Sequence, residues 1–374
     1  MLGTQQLAIV FGYTYRNQSR GQVQCSGPAT LDALCTTVSG RTVANTSNEP
    51  RPEPAVSVII PTTRRHDLVQ RAIRSVVSQT LREFEIIVVV DGPNPETEAA
   101  LARLVEPRLR VVTNERALGP GGARNRGGEK ARGRWIAFLD DDDELLPDML
   151  ARMLDAAGGR RVMLCCRCRV QMPEADYVWP REVYRPEMTV DDYLFDRRTL
   201  FRGARYMATS TYLLPRDVFL ATRFGTTHHN EDTTLLLRVT KEAGVPLEML
   251  PDVLVIVHAQ ATLDSLGPNY EWRTMLGWAE ASRSLLTRRA YAGFVLIYLG
   301  SQAARRHDWR GVPVLLWHAF HQGAPRPMHV AAFAAFWLVP AGLRQKLRGR
   351  LQGTGTGSPV ATAGAAAALP RTRS

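Results

Sequence analysis

From residue 55 onward the chain alternates between two textures. Short apolar runs, Ala55–Ile60, Glu85–Val90, Leu109–Val112, Trp135–Leu139 and Val162–Cys166, read as strands. Between them apolar residues recur at helical spacing: Val69, Ala72, Ile73, Val76 and Val77 lie on one face, and 96–105 and 122–131 read as further helices. Pro147 sits where a first helical turn tolerates a missing N–H, and Met149, Leu150, Met153 and Leu154 give that helix its apolar side. The alternation predicts an α/β fold with a mainly parallel sheet flanked by helices. In such sheets ligands bind beyond the carboxyl ends of the strands. Those positions read Pro61-Thr-Thr-Arg-Arg65, Asp91-Gly-Pro-Asn94 and Asp140-Asp-Asp-Asp143, and two of the three are acidic.

The pattern also divides the chain. Residues 1–53 are rich in Ser, Thr, Gly, Asn and Gln, keep no period and run into a Pro-containing stretch ending at Pro54, which predicts a disordered extension. Residues 54–260 form the α/β domain. Residues 261–350, with Trp272, Trp278, Trp309, Trp317 and Trp337 between Arg-rich spacers, read as helices whose aromatics belong mostly to a core, and 351–374 as a disordered tail. The first twenty residues lack a basic stretch ahead of an apolar one, so they make a poor signal peptide. The apolar stretch 330–343 is broken by Pro340 and Gly342 and falls short of the roughly 20 residues a spanning helix needs.

Composition changes this picture little. A 45% hydrophobic content is that of an ordinary globular protein, and a net charge of +11 suits an acidic ligand, an anionic membrane or nucleic acid alike. Part of the excess lies after position 343, where Arg344, Lys346, Arg348 and Arg350 face no acid. With the apolar stretch before them, they suit a membrane surface, and the expected location is the cytoplasm, with peripheral contact at the inner face of the plasma membrane. Cys165, Cys166 and Cys168 share one strand and, with Cys25 and Cys35, form no zinc pattern, as expected of reduced thiols in a cytosolic protein.

Four consecutive aspartates raise one another's pKa unless something neutralises them. A hard divalent cation, Mg²⁺ or Mn²⁺, does so with one or two carboxylates and leaves positions for phosphate oxygens. Taken alone, the run is equally an acidic turn ahead of a helix, where carboxylates are favoured anyway. Its neighbours decide between these. Val56-Ser-Val-Ile-Ile-Pro-Thr62, Ser78-Gln-Thr80, Glu85-Ile-Ile-Val-Val-Val-Asp-Gly92, Gly122-Ala-Arg-Asn-Arg-Gly127 and Phe138-Leu-Asp-Asp-Asp-Asp143 resemble, in order and spacing, the nucleotide-binding half of family 2 glycosyltransferases with the GT-A fold.

The resemblance implies an inverting, metal-dependent transfer of sugar from a nucleotide-sugar donor, UDP- or dTDP-linked, to a hydroxyl of a saccharide, lipid-linked or small-molecule acceptor. It implies that Pro61, Thr62, Arg64 and Asp91 serve the nucleotide, that Arg124 and Asn125 steady it, and that Asp141 meets the ribose. Asp140 and Asp142 become the Asp-x-Asp pair, with Asp142 the direct metal ligand and His258, after the apolar run 253–257, completing the metal site. Val90 departs from the family pattern, which carries a second aspartate there. His228-His-Asn-Glu-Asp232 resembles the family's Glu-Asp pair at a helix start, which makes Asp232 the base toward the acceptor and Glu231 its orienting partner. Helix capping is the competing explanation for both acids. Two rival functions fit less well. A sugar-phosphate nucleotidyltransferase needs a glycine-rich loop after the first strand, and Pro61-Thr-Thr-Arg-Arg65 is none; a nucleic-acid-binding module needs clustered basic and stacking residues.

Overall fold

The computed structural model describes residues 53–172, 176–198, 205–225, 230–258 and 271–339. The extension, the tail, the His228-His229 pair and the basic residues after 343 lie outside them. Within the described residues a nine-stranded mixed sheet runs β3-β2-β1-β4-β8-β6-β9-β5, with β7 (Asp176–Trp179) paired to β6. Strands β1 (Val56–Thr62), β2 (Phe84–Val90), β3 (Leu109–Thr113) and β4 (Trp135–Phe138) form a parallel half, in register Ile86 to Val58 to Ala137. Strand β8 (Leu213–Pro215) enters antiparallel beside β4 and joins it to the parallel pair β6 (Met163–Gln171) and β9 (Leu247–His258). The two-residue strand β5 (Glu144–Leu145) then pairs antiparallel with β9, directly after the aspartate run.

Both faces of the parallel half are covered, and its sequence says so. Every residue of β1 and β2 is buried, so these strands read as continuous apolar runs instead of alternating. Val58, Ile60, Ile86 and Val88 share one core with Val69, Ile73 and Val76 of helix α1 (His66–Val77). Ile59, Ile87 and Val89 point to the other face, against Ala123, Phe219 and Phe224. The two-residue period thus sends successive side chains into separate cores. Helix α2 (Pro95–Ala102) follows β2, and helix α3 (Gly119–Lys130) follows β3.

Helix α3 lies very close to the sheet because it has little side chain in the way. A Cβ at Gly127 would stand 2.4 Å from Ile59 Cγ2, and one at Gly128 would stand 2.1 Å from a Phe219 ring carbon. Poor helix propensity is exchanged here for approach, and the approach brings Arg124 into the interior.

Helix α4 (Met149–Ala157) carries the expected apolar side, with Met149, Leu150 and Met153 buried. Cys165, Cys166 and Cys168 are buried and reduced on β6, whose thiols burial pushes upward. Helix α5 (Val190–Phe195), helix α6 (Arg216–Thr222) and helix α7 (Glu231–Leu237) complete the α/β part.

The C-terminal region is helical, as expected: α8 (Trp272–Ala281), α9 (Arg288–Gly293), a π-helical turn (Phe294–Leu299), α10 (Gly300–Arg305), α11 (Gly311–His321) and α12 (Pro327–Leu338). It has its own core around Trp272, Trp278, Phe294, Leu315 and Phe333, joined by Leu237 of α7. Polar ties fasten it to the α/β part. Trp278 Nε1 donates to Thr234 Oγ1 at 2.9 Å, and Asp196 binds Arg326 Nε at 2.7 Å with His329 Nε2 at 3.3 Å. Most of the aromatics are core, as expected: Trp272 and Trp278 are buried and Trp337 packs against the same core, while Trp309 and Trp317 are exposed. Helical spacing alone does not show which side of an all-apolar helix meets protein.

Candidate active site

The carboxyl ends of β1 and β4 are neighbours, so Pro61-Thr62 and the aspartate run meet at once. Thr62 Oγ1 donates to Asp141 Oδ2 at 2.7 Å. Arg65 Nη1 reaches Asp142 Oδ2 at 3.0 Å and Asp141 Oδ1 at 3.7 Å, and Arg71 Nη2 donates to the Asp142 carbonyl at 2.7 Å. Arg64, the arginine read as a donor residue, is exposed, and its neighbour Arg65 touches the acids. Asp143 is as buried as Asp142. It accepts from Ser210 Oγ at 2.6 Å and from the His258 backbone N–H at 3.3 Å, while Ser210 Oγ accepts from the Asp140 N–H.

All four aspartates are buried, and the electrostatic result is uneven. Burial, then the adjacent Asp142 charge, push Asp141 up to about 6, and burial with Asp142 and Asp140 push Asp143 well above the usual carboxylate range. Burial also opposes the charge of Asp140, yet its carboxyl is held below its ordinary value with the Arg124 guanidinium against it. Carboxylate oxygens of Asp140, Asp142 and Asp143 lie within 4.8 Å of one another, and Asp142 Oδ1 is buried without a hydrogen-bond partner. A buried, unsatisfied anionic oxygen is costly. Converging hard oxygens, two raised carboxyls and one orphaned lone pair fit Mg²⁺ or Mn²⁺. Asp143, which had no firm role in the sequence, belongs to this group by geometry. His258 stands beside it, with its ring Nε2 on Glu144 Oε1 at 2.7 Å.

Arg124 joins this group to a second one. It is fully buried, with Nη2 on Asp140 and Nη1 donating to Glu231 Oε1 at 2.8 Å. Burial opposes its charge, and Asp140 and Glu231 more than offset that, so its pKa lies above the usual range. Next to Glu231, at the start of α7, Asp232 accepts from Tyr206 Oη at 3.0 Å and from the Thr233 N–H at 2.7 Å. Burial pushes Asp232 up to about 6 and holds the Tyr206 hydroxyl protonated well above its ordinary value. Asp232 is therefore a carboxylate at pH 7 with more proton affinity than an exposed aspartate.

The other expected donor residues are engaged with the chain itself. Asp91 accepts from Asn114 Nδ2 at 2.9 Å and from the N–H groups of Leu118 and Gly119 at 2.8 Å each, which places its charge at the N-terminus of α3. Asn125 clamps Phe224, donating to its carbonyl at 3.0 Å and accepting from its N–H at 2.9 Å. Sequence reasoning missed Arg65, Ser210 and Tyr206. Arg65 carried the signal of standing just after a strand end; Ser210 and Tyr206 reach the site from a segment without recognisable period.

Residues 57–221 match the family model described as glycosyl transferase family 2. The chain is 43% identical over 110 residues to the succinoglycan biosynthesis protein ExoO of Rhizobium meliloti, which covers 29% of this chain and 32% of that protein. It is 36% identical over 107 residues to the GalNAc(5)-diNAcBac-PP-undecaprenol beta-1,3-glucosyltransferase of Campylobacter jejuni, covering 28% of this chain and 35% of that protein. The chain thus spans about a third of the length of these curated relatives. The solved structure of S. aureus TarS 1-349 superposes with a TM-score of 0.47 at 17% identity, over 78% of this chain and 91% of that one. With ordered segments on adjacent strand ends and aspartates gathered behind them, residues 57–221 are the part of the chain similar to glycosyl transferase family 2.

Proposed function

We propose that the protein is an inverting glycosyltransferase that moves a sugar from a UDP- or dTDP-linked donor to a hydroxyl acceptor, in the building of an envelope polysaccharide, a glycolipid or a natural product. One observation carries the reading: a buried aspartate with pKa near 6, Asp232, sits next to the Glu231–Arg124–Asp140 chain that ends in the three-aspartate group. On this reading the base stands one residue from the network that reaches the diphosphate-binding acids.

In the proposed reaction the acceptor hydroxyl gives its proton to Asp232 while its oxygen attacks the anomeric carbon. The bond from that carbon to the phosphate oxygen breaks on the opposite face, and its electron pair leaves with the nucleoside diphosphate. Glu231 is engaged by Arg124 and orients α7 instead of taking the proton. When bound, a divalent cation held by Asp140, Asp142 and Asp143 supplies Lewis-acid stabilisation of the leaving diphosphate. Pro61, Thr62 and Asp91 serve the base, Arg64 the nucleotide-sugar more generally, and Asp141 the ribose. Arg124 and Asn125 act at one remove, through Asp140 and the Phe224 backbone, and His258 supplements the cation site from beside it. A lipid-linked acceptor is in keeping with the relative named for a PP-undecaprenol compound.

The test is a donor panel. Purified protein with Mn²⁺ is offered UDP-, dTDP-, GDP- and CMP-sugars, and nucleotide release is measured. Metal-dependent release from a pyrimidine nucleoside-diphosphate sugar is expected. Silence toward every donor, with and without Mn²⁺, would sink the enzyme reading.

A further inference from the structure

The net charge of the chain is not spread along it. From Arg283 to the end the sequence holds thirteen basic residues and one acid, Asp308, a net of +12. The whole chain carries +11, so residues 1–282 come to −1. Within the described part of this basic segment lie Arg283, Arg288, Arg289, Arg305, Arg306, Arg310 and Arg326, and Asp308 is held by Trp272 Nε1 and Arg273, both at 2.9 Å.

The same segment exposes apolar surface. Of the eight large hydrophobic side chains exposed among the described residues, five are Trp309 (58%), Val314 (39%), Trp317 (54%), Phe320 (57%) and Leu338 (77%). The remaining three, Val105, Val111 and Leu118, belong to the α/β part, where isolated exposed residues need no explanation. Helix α11 is apolar on two sides. Leu315 and Ala319 face the helical core, while Val314, Trp317 and Phe320, at spacings of three, face outward. Trp309, just ahead of α11, packs on Trp337 of α12 with ring centroids 4.6 Å apart, and the exposed Leu338 follows Trp337 in the chain. Trp317 is itself braced, its ring stacked on His321 at 4.8 Å. A water-facing helix is ordinarily polar on its outer side. Tryptophan flanked by arginine is the composition that settles at the boundary between headgroups and acyl chains.

We propose that Trp309, Val314, Trp317, Phe320 and Leu338 form a docking surface for an anionic lipid bilayer. The occupant is argued from charge: a segment of net +12 attracts acidic headgroups, and the aromatic stripe then enters the interfacial layer. Among the described residues no helix is long and apolar enough to cross a membrane, so the contact lies along the surface. Because the helical region is tied to α7 through Trp278 and Thr234, docking also fixes the Glu231-Asp232 end of the site relative to the bilayer. This deepens the lipid-linked acceptor of the proposed function but does not rest on its chemistry.

The experiment is co-sedimentation of the full chain with phosphatidylcholine vesicles, with and without about 30% phosphatidylglycerol, with tryptophan quenching by brominated lipid as a second readout. The intact protein is expected to bind the anionic vesicles, release with salt and show quenched tryptophan. W317S/F320S should bind at least about tenfold more weakly, at unchanged melting temperature and unchanged turnover of soluble donor. Three results overturn the proposal: no binding by the intact protein, equal binding by the double variant, or a dimer in sedimentation velocity that the double substitution dissociates. The last would make a second copy the occupant. Donor turnover measured without vesicles separates this failure from failure of the transferase reading.

Discussion

Two buried carboxylate sites lie at opposite ends of the same parallel strands, and they are built on opposite rules. At the amino end of β2, Glu85 accepts from Ser57 Oγ at 2.7 Å, from the Arg132 N–H at 2.6 Å and from Arg110 Nη1 at 3.1 Å. Burial opposes its charge, yet these donors hold its pKa below the usual range. At the carboxyl ends, four aspartates share Arg65, Arg124 and two hydroxyls, two of the carboxyls are pushed up, and one oxygen has no partner. A structural acid is matched by its own protein. The aspartate group is left short of partners, as a group that waits for a cation would be.

The largest expected effect breaks the second site. Asp232→Asn should keep donor binding and lose transfer by about 10²- to 10⁴-fold, the usual contribution of a positioned base. In the unaltered protein the rate should fall as pH drops through about 6, because Asp232 must be ionised to accept a proton. Equal turnover of the variant, or a rate flat from pH 7 to 5, would remove Asp232 from the base role.

The next two predictions sharpen the contrast through stability. Glu85→Gln should cost about 1–3 kcal/mol, since it leaves buried donors facing a weaker acceptor, while Asp143→Asn should cost the metal-free protein less or stabilise it. Urea unfolding in chelator checks both. The pH dependences run in opposite directions. Glu85, with a lowered folded pKa, contributes stability that is present above its unfolded value of 4.5 and lost as pH falls through the folded one. Asp141, raised from 3.8 to about 6, has the other sign: its contribution is full below 3.8 and is lost as pH rises to about 6.

A smaller effect follows for the cation. Mn²⁺ should raise the melting temperature more at pH 7.5 than at pH 5, because only ionised aspartates are relieved by it. An equal shift at both pH values, or a shift that survives Asp142→Asn unchanged, would count against the assigned ligands.

The strand ends and the first helices were legible because they depend on local pattern. Continuous apolar runs such as Phe84–Val90 and the spaced face of α1 report burial directly, and the observed bounds of these elements differ from the expected ones by a few residues. Residues 172–225 were not legible. Strand β8 has three residues, too few to show a period, and is placed by its neighbours β4 and β6. Ser210 and Tyr206, which hold Asp143 and Asp232, arrive with that segment.

The sequence by itself determined the alternating α/β architecture, the acidic character of the strand ends and the placement of Glu231-Asp232 at a helix start, because strand burial and helix initiation are written in local pattern. Tertiary structure alone decided which carboxylates are short of partners. Four adjacent aspartates look alike along the chain, and their differences come from residues far away in it: Arg124 on Asp140, Thr62 on Asp141, Arg65 on Asp142, Ser210 on Asp143. Charge in a low-dielectric interior depends on distance, and distance across strands is set by packing.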